Sequence, residues 1–371
     1  MSVMASKLFY VIIFALATIT MYLSVKKTKH LNIWTIISAL ILSAVIGLRG
    51  VSVGIDTLAY TEFFEALEQQ IVFGVRGIDE PGFIFVSYVV VQLFGSVQFA
   101  FFFWALVTNL LIVLRLHELK ERIAIPIAML TYLAAFFFLE FNVLRQVVAV
   151  SIIFYATRWI EKRQYIKFLI ACLIAVSIHS SAIIAIALIP ISMLYNWRRY
   201  RPKQQALIFL ILLIAVGGFV LVAMRYMSLY GHYLDSDLSA DGVGMLIPIK
   251  IVSFLICMVY VRTVHRKVVT QNCDILEQEN RNWKYYLKTA VICYFIGLII
   301  YFISYYVKYA DRAAYYFFMF EIICYGYWYR LAKRNDIIKL LICLLVLLPL
   351  ILDFVSSTGG QGHFPYMFYW S

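Results

Sequence analysis

The chain has 371 residues, of which 64% are hydrophobic and only 14% charged, with a mean hydropathy of +0.87. A soluble globular domain carries about 25% charged residues, so a water-soluble fold is excluded. The net charge of +12 does not point to nucleic acid, because Lys and Arg fall in short clusters between apolar runs, which is a topology signal.

Apolar runs of about 20 residues, each able to cross a hydrocarbon core of about 30 Å, recur along the whole length. They are too continuous for the alternation of a β-barrel, which leaves helices as the spanning elements. In chain order the spans read as 8–25, 31–48, 97–116, 123–140, 143–160, 164–178, 180–196, 206–224, 246–262, 286–306, 313–331 and 336–354. The fold class is therefore all-α polytopic membrane protein with about twelve transmembrane helices. The first run, with Lys7 before it and Ala15-Leu16-Ala17 inside it, reads as a retained helix rather than a cleaved signal, because further spans succeed it. In the loop after the second span, Thr61–Glu68 has apolar residues at 63, 64 and 67 and acids at 62, 65 and 68. That spacing predicts a short amphipathic helix lying on the membrane surface. Residues 82–94 are short for a span and end at Gly95-Ser96. Counted as a crossing they would invert every later loop, so they read as a re-entrant or interfacial segment, or as the first part of one long broken helix.

The clusters Lys26/Lys27/Lys29, Lys120/Arg122, Lys162/Arg163/Lys167, Arg198/Arg199/Arg201/Lys203, the 262–288 loop and Arg330/Lys333/Arg334/Lys339 all fall on one side, which is therefore cytoplasmic. This orientation puts 24 of the 32 basic residues inside and 13 of the 20 acidic residues outside, with both termini external. The chain reads as a single integral-membrane domain over 1–371, with external loops 49–81, 225–245 and 307–312 and an external tail 355–371. None of the six cysteines falls in an external loop, so no disulfide framework is implied.

Sorted by depth, the polar residues at helix boundaries gather at the external face. Arg49 ends the second span and opens the stretch Arg49-Gly50-Val51-Ser52-Val53-Gly54-Ile55-Asp56-Thr57-Leu58-Ala59-Tyr60. Glu140, Asn142, Arg145 and Gln146 straddle a hairpin; His179 with Ser180 and Ser181 breaks the 164–196 run; Arg225, His232, Asp235, Asp237 and Asp241 fill a later loop; Asp311-Arg312 opens the next helix end. Polar residues so placed in a membrane protein are a functional-site hypothesis by default, and each is weighed against a plain structural role. Arg49 and Arg225, each taken singly, are as readily arginines that snorkel to the headgroups as ligands. Arg145 does not, because an external arginine works against the positive-inside bias. His179 is either a packing histidine or part of a site, Asp311-Arg312 is either a local ion pair or a binding pair, and Tyr305, Tyr306, Tyr309, Tyr315 and Tyr316 suit an interfacial belt. The acids Asp235 and Asp237 are a lone D-x-D, and no His-x-x-x-His, P-loop, dinucleotide fingerprint or nucleophile elbow is present. No metal or cofactor is therefore expected. Several external arginines at a membrane boundary suit a lipid diphosphate, whose oxygens guanidinium forks pair with bidentately and whose charge they stabilise on departure.

In these residues the sequence resembles the Wzy-type polysaccharide polymerases, in particular the EpsG-like family of bacterial exopolysaccharide and O-antigen synthesis. The matching pieces are Arg49-Gly50 followed by Val53-Gly54-Ile55-Asp56-Thr57 and Tyr60; Glu80-Pro81-Gly82-Phe83; Asn142-Val143-Leu144-Arg145-Gln146; His179-Ser180-Ser181-Ala182; Arg312 with Tyr315-Tyr316-Phe317 and Glu321; and Pro365-Tyr366. The resemblance implies a metal-independent glycosyltransferase of GT-C-like architecture in the bacterial inner membrane. It would join oligosaccharide repeat units carried on undecaprenyl diphosphate at the periplasmic face, beside membrane lipids and the flippase and chain-length regulator of the same pathway. It further implies Arg145, Arg312 and Arg49 on the diphosphate and Asp56 or His179 at the acceptor hydroxyl. Glu80 and Tyr60 are second candidates there, and Asn142, Gln146 and Tyr315 join the substrate-binding set. The competing readings are a lipid-linked oligosaccharide flippase, which would line a midplane path with polar residues and show internal symmetry, and a membrane O-acyltransferase with His179 as base.

Overall fold

The computed structural model describes residues 1–27, 32–69, 80–193, 201–205, 250–259, 277–304, 310–332 and 335–371, with single positions at 207, 210, 211 and 248. Arg225, His232, Asp235, Asp237 and Asp241, expected in an outer loop, lie outside the described residues, as do Tyr305, Tyr306 and Tyr309, most of the expected 206–224 span and residues 262–276 of the expected cytoplasmic loop. Among the described residues regular structure is helical, apart from an isolated bridge between Arg49 and Phe368. Four helices are long and apolar enough to cross a membrane, at Val3–Lys26, Val97–Glu118, Asn282–Ile303 and Asp336–Val355, and shorter apolar helices accompany them.

Contacts divide the chain into two compact units. The first comprises Met1–Tyr155, Ser177–His179 and Val346–Ser371. Its helices are α1 (Val3–Lys27), α2 (Ile33–Gly47), α3 (Thr57–Glu68), α4 (Pro81–Phe94), α5 (Val97–Glu118), α6 (Ile125–Ala135) and the start of α7 (Leu144–Glu161). Local sequence sets several of their ends. The Asn32 side chain accepts from Trp34 N–H at 3.1 Å to cap α2, and Pro81 sits in the first turn of α4, where a missing N–H costs nothing. Gly95 takes a left-handed conformation at φ 57°, with its N–H on the Val91 carbonyl at 2.7 Å, and closes α4. Ser96 then caps α5 through Phe99 N–H at 3.3 Å.

This geometry settles residues 82–94 against the reading as the start of one long broken helix. The left-handed glycine turns the chain back, so α4 packs on α5, with Trp104 Nε1 donating to Ser87 Oγ at 2.9 Å. The amphipathic segment is likewise helical, and its acids Glu62, Glu65 and Glu68 are exposed. Its apolar face covers protein rather than lipid: Phe63 stacks on Phe83 at 5.7 Å, Phe64 meets Phe101 edge-on at 5.1 Å, and Phe83 stacks on Trp104 at 4.9 Å. Gln92 of α4 donates to the Leu67 and Glu68 carbonyls at 2.9 and 3.1 Å and so caps the end of α3. Such a core is held by close packing and satisfied polar groups, which is what remains when lipid tails are as apolar as the side chains.

The predicted span 123–140 becomes α6 followed by a 3-10 turn at Phe137–Phe141, while the break expected at His179 is present, between α8 (Tyr165–Ile178) and a 3-10 segment at Ser180–Ala187.

The second unit comprises Ala156–Val176 and Ser180–Leu345. It holds the end of α7, most of α8, α9 (Leu188–Met193), α10 (Lys250–Val259), α11 (Glu277–Ile303), α12 (Ala310–Phe318), α13 (Phe320–Leu331) and the first half of α14 (Asp336–Val355). The predicted span 313–331 is thus two helices with a break at Met319. Buried polar side chains pair inside this unit: Lys250 Nζ lies 3.0 Å from both Glu321 oxygens, Tyr286 donates to Thr157 at 2.7 Å, and Ser181 meets Tyr316 at 3.1 Å.

Candidate functional site

In the first unit three segments bring an acid, a cation and an imidazole together. Glu80 is the residue before α4, Arg145 lies in the first turn of α7, and His179 follows the last residue of α8. Glu80 is buried, with one oxygen bound to the Arg145 guanidinium and the other 3.0 Å from His179 Nδ1. Arg145 Nε also donates to the Tyr60 hydroxyl at 3.3 Å, which ties α3 to the same group. Gly82 is what lets the Glu80 end of α4 come this near to the end of α8. A Cβ at Gly82 would lie 2.9 Å from both Ser177 Cβ and the Ser177 carbonyl oxygen, too close for any side chain.

The electrostatics follow from this placement. Burial by itself would raise the Glu80 carboxyl above its ordinary range, but the hydrogen bond from His179 and the charge of Arg145 outweigh it and hold the group at about 2. Glu80 is therefore a carboxylate at any physiological pH. A hydrogen bond from Nδ1 to a carboxylate puts the proton of a neutral imidazole on Nδ1 and makes Nε2 the basic nitrogen. The group is thus an oriented imidazole beside a guanidinium whose side chain is 15% exposed, chemistry suited to taking a proton next to a bound anion.

Asn142 and Asp56 lie three and four residues before Arg145 and Tyr60 and meet each other. Asn142 is buried, and its Oδ1 accepts from the Asp56 N–H at 3.2 Å. Asp56 is the half-buried residue at the N-terminal end of α3, and its side chain makes no cap hydrogen bond. Gln146, next along α7, is buried.

Arg49 is placed differently from the other candidates. It is 1% exposed, its two terminal nitrogens donate to the Glu140 and Phe141 carbonyls at 3.5 and 3.4 Å, and its guanidinium lies 4.3 and 5.2 Å from the Phe101 and Phe141 ring centroids. Burial pulls its pKa down to about 10, opposed by Tyr366 and Glu140, so it stays charged at neutral pH. In this structure Arg49 braces the 3-10 turn that leads to Asn142 and Arg145. Glu140, expected among the external polar groups, is fully buried instead, bound by Tyr132 and by Asn109 Nδ2 at 3.1 Å.

Arg312 and Tyr315 belong to the second unit. Arg312 is half-buried on α12 next to Asp311, and Tyr315 donates to Asp311 Oδ2 at 3.3 Å. The sequence reading omitted Gln361. Asn142 Nδ2 donates to the Gln361 backbone carbonyl at 2.9 Å and to its side-chain Oε1 at 2.6 Å. Its only sequence signal is the run Gly359-Gly360-Gln361-Gly362, whose glycines permit a tight turn in an otherwise apolar tail.

A family model described as the EpsG family matches residues 32–368, nearly the whole chain. No curated protein and no solved structure matches it.

Proposed function

The chain belongs to the EpsG family, and on that premise we propose that it is a polysaccharide polymerase of the Wzy type. Its donor and acceptor would be oligosaccharide repeat units carried on undecaprenyl diphosphate, joined without a metal at the periplasmic face of the bacterial inner membrane. The observation that carries the reading is the Glu80 carboxylate buried between Arg145 and His179.

In the proposed reaction the acceptor sugar hydroxyl attacks the anomeric carbon of the donor. The new glycosidic C–O bond forms as the bond from that carbon to the diphosphate oxygen breaks. The hydroxyl proton passes to His179 Nε2, and the two electrons of the broken bond leave with the diphosphate. Glu80 fixes the His179 tautomer, a role that in Ser-His-Asp enzymes falls to the buried carboxylate. Arg145 is the proposed diphosphate ligand, since a guanidinium fork matches phosphate oxygens and stabilises the charge that grows on departure. Tyr60, on the Nε edge of Arg145, orients that fork. Asp56 is the alternative acceptor base, and Arg312, Gln146 and Tyr315 are proposed substrate ligands on the family resemblance. Arg49 is assigned a bracing role, because its two terminal nitrogens reach backbone carbonyls of the 3-10 turn.

Deletion of the gene and a gel of surface polysaccharide test the reading. A polymerase deletion leaves single repeat units on the lipid core, whereas loss of a flippase leaves none. Arg145→Ala and Arg312→Ala, expressed normally in that strain, should both fail to restore long chains; long chains from both would refute the assignment.

A further inference from the structure

The C-terminal tail does not trail away from α14. It runs back along the segment that opens α3: Tyr369 N–H donates to the Leu48 carbonyl at 3.0 Å, Gly50 N–H to the Met367 carbonyl at 2.7 Å, and Gly54 N–H to the Gly362 carbonyl at 2.9 Å. Tyr366 adds its hydroxyl to the Val45 carbonyl at 2.8 Å. The turn that carries Gln361 is pinned from both sides. Gly360 N–H donates to Asp353 Oδ1 at 2.7 Å, and His363 Nε2 lies 2.8 Å from Asp353 Oδ2 while its ring stacks on Phe138 at 3.8 Å.

At Gln361 this tail meets Asn142, and Asn142 uses both ends of its amide. Nδ2 holds Gln361, and Oδ1 holds the Asp56 N–H. Asp56 and Asn142 each lie a few residues before a residue of the site. Asp56 accepts from the Tyr60 N–H at 3.1 Å, and Asn142 precedes Arg145 by three residues. The loop closes where Arg145 Nε reaches the Tyr60 hydroxyl at 3.3 Å. A contact of that length is at the edge of a hydrogen bond and weakens steeply with a small displacement.

We infer that the C-terminal tail is a working part of the site and that Gln361 is a positioning residue, which through Asn142 sets the separation of Tyr60 and Arg145. The inference rests on the polymerase reading. Gln361 acts through the Asn142 amide, which it holds at one end while the other end holds the Asp56 N–H.

The experiment uses the full chain in membranes of the deletion strain, supplied with lipid-linked repeat units. Gln361→Ala should lower kcat by about fivefold to tenfold, the effect of one net hydrogen bond, with KM within about twofold. Its thermal midpoint in detergent should match that of the parent. Gln361→Glu keeps an acceptor oxygen for Asn142 Nδ2 and should restore the rate. Gln361→Ala combined with Asn142→Ala should be no slower than Asn142→Ala alone, because both break the same link. Full activity of Gln361→Ala, a Gln361→Glu as slow as the alanine variant, or a loss that tracks a lower thermal midpoint would each overturn the inference. Arg145→Ala run in parallel separates the two claims. If it abolishes polymer while Gln361→Ala is silent, only the tail inference fails; if it too makes long chains, the polymerase site itself is misassigned.

Discussion

Glu80→Gln keeps the size of the side chain and an oxygen acceptor but removes the charge lying between Arg145 and His179. The native carboxyl is held at about 2 against an ordinary 4.5, and at 1.36 kcal/mol per pH unit that gap favours the folded protein by about 3 kcal/mol at neutral pH. Because the folded value is the lower one, the contribution is complete above the ordinary value of 4.5 and drains away as the pH falls from 4.5 towards 2. The parent protein should therefore lose about 3 kcal/mol from this group across that window. The Gln variant should start less stable at neutral pH and show no such loss. Turnover should suffer as well, since nothing then fixes the proton on His179 Nδ1; loss of an oriented base costs about 10²- to 10⁴-fold. The assay pairs thermal midpoints in detergent at neutral and acid pH with turnover of lipid-linked repeat units in membranes. A Gln variant with the parent's midpoint, the parent's acid sensitivity and full-length polymer would refute both the electrostatic argument and the role given to His179.

Arg145→Lys keeps the positive charge but loses the planar fork, and kcat/KM should fall about tenfold to a hundredfold, with Arg145→Ala lower still; equal activity of Lys and Arg would argue for simple charge. Arg49→Ala strips donors from the Glu140 and Phe141 carbonyls and the cation from between Phe101 and Phe141, which should cost about 2 to 4 kcal/mol in stability. Its surviving folded fraction should keep the parent's KM, so a stable protein with a raised KM would return Arg49 to the diphosphate. Gly54 has φ 94°, and a Cβ there would lie 2.9 Å from the Phe141 carbonyl oxygen. Gly54→Ala should therefore lower the unfolding free energy by about 1 to 3 kcal/mol, seen as a depressed thermal midpoint, and an unchanged midpoint would contradict the backbone geometry of the turn.

How far the fold was legible follows from which forces act within a few residues. The long apolar helices were readable because hydrocarbon demands unbroken runs, and the Thr61–Glu68 helix because its apolar spacing is periodic. The break at His179 was legible from the polar triplet that interrupts the run. The break after α6 was not, because Phe137–Phe141 is as hydrophobic as the helix before it and only Glu140 departs from the pattern. The direction of α4 was also hidden: Gly95-Ser96 permits either a kink or a reversal, and the packing of Phe83 on Trp104 selects the reversal.

In the site the same division holds. Residue types and their helix-end positions picked out Arg145, His179 and Asn142, since charges beside apolar runs need a reason to be there, and Glu80 and Tyr60 entered with the family resemblance. Residue type and position weighed Arg145 above Arg49 but could not assign either arginine its partners. Arg49 ends beneath two phenyl rings on backbone carbonyls, whereas Arg145 ends on a carboxylate shared with an imidazole. Nor could local sequence reach Gln361, which lies 219 positions from Asn142. The sequence by itself determined that the chain is helical, apolar and membrane-bound, because those properties come from composition and periodicity within one segment. Which cation ends on a carboxylate shared with an imidazole and which props up a turn was decided only by tertiary structure, because a charge takes its surroundings from partners that folding brings together.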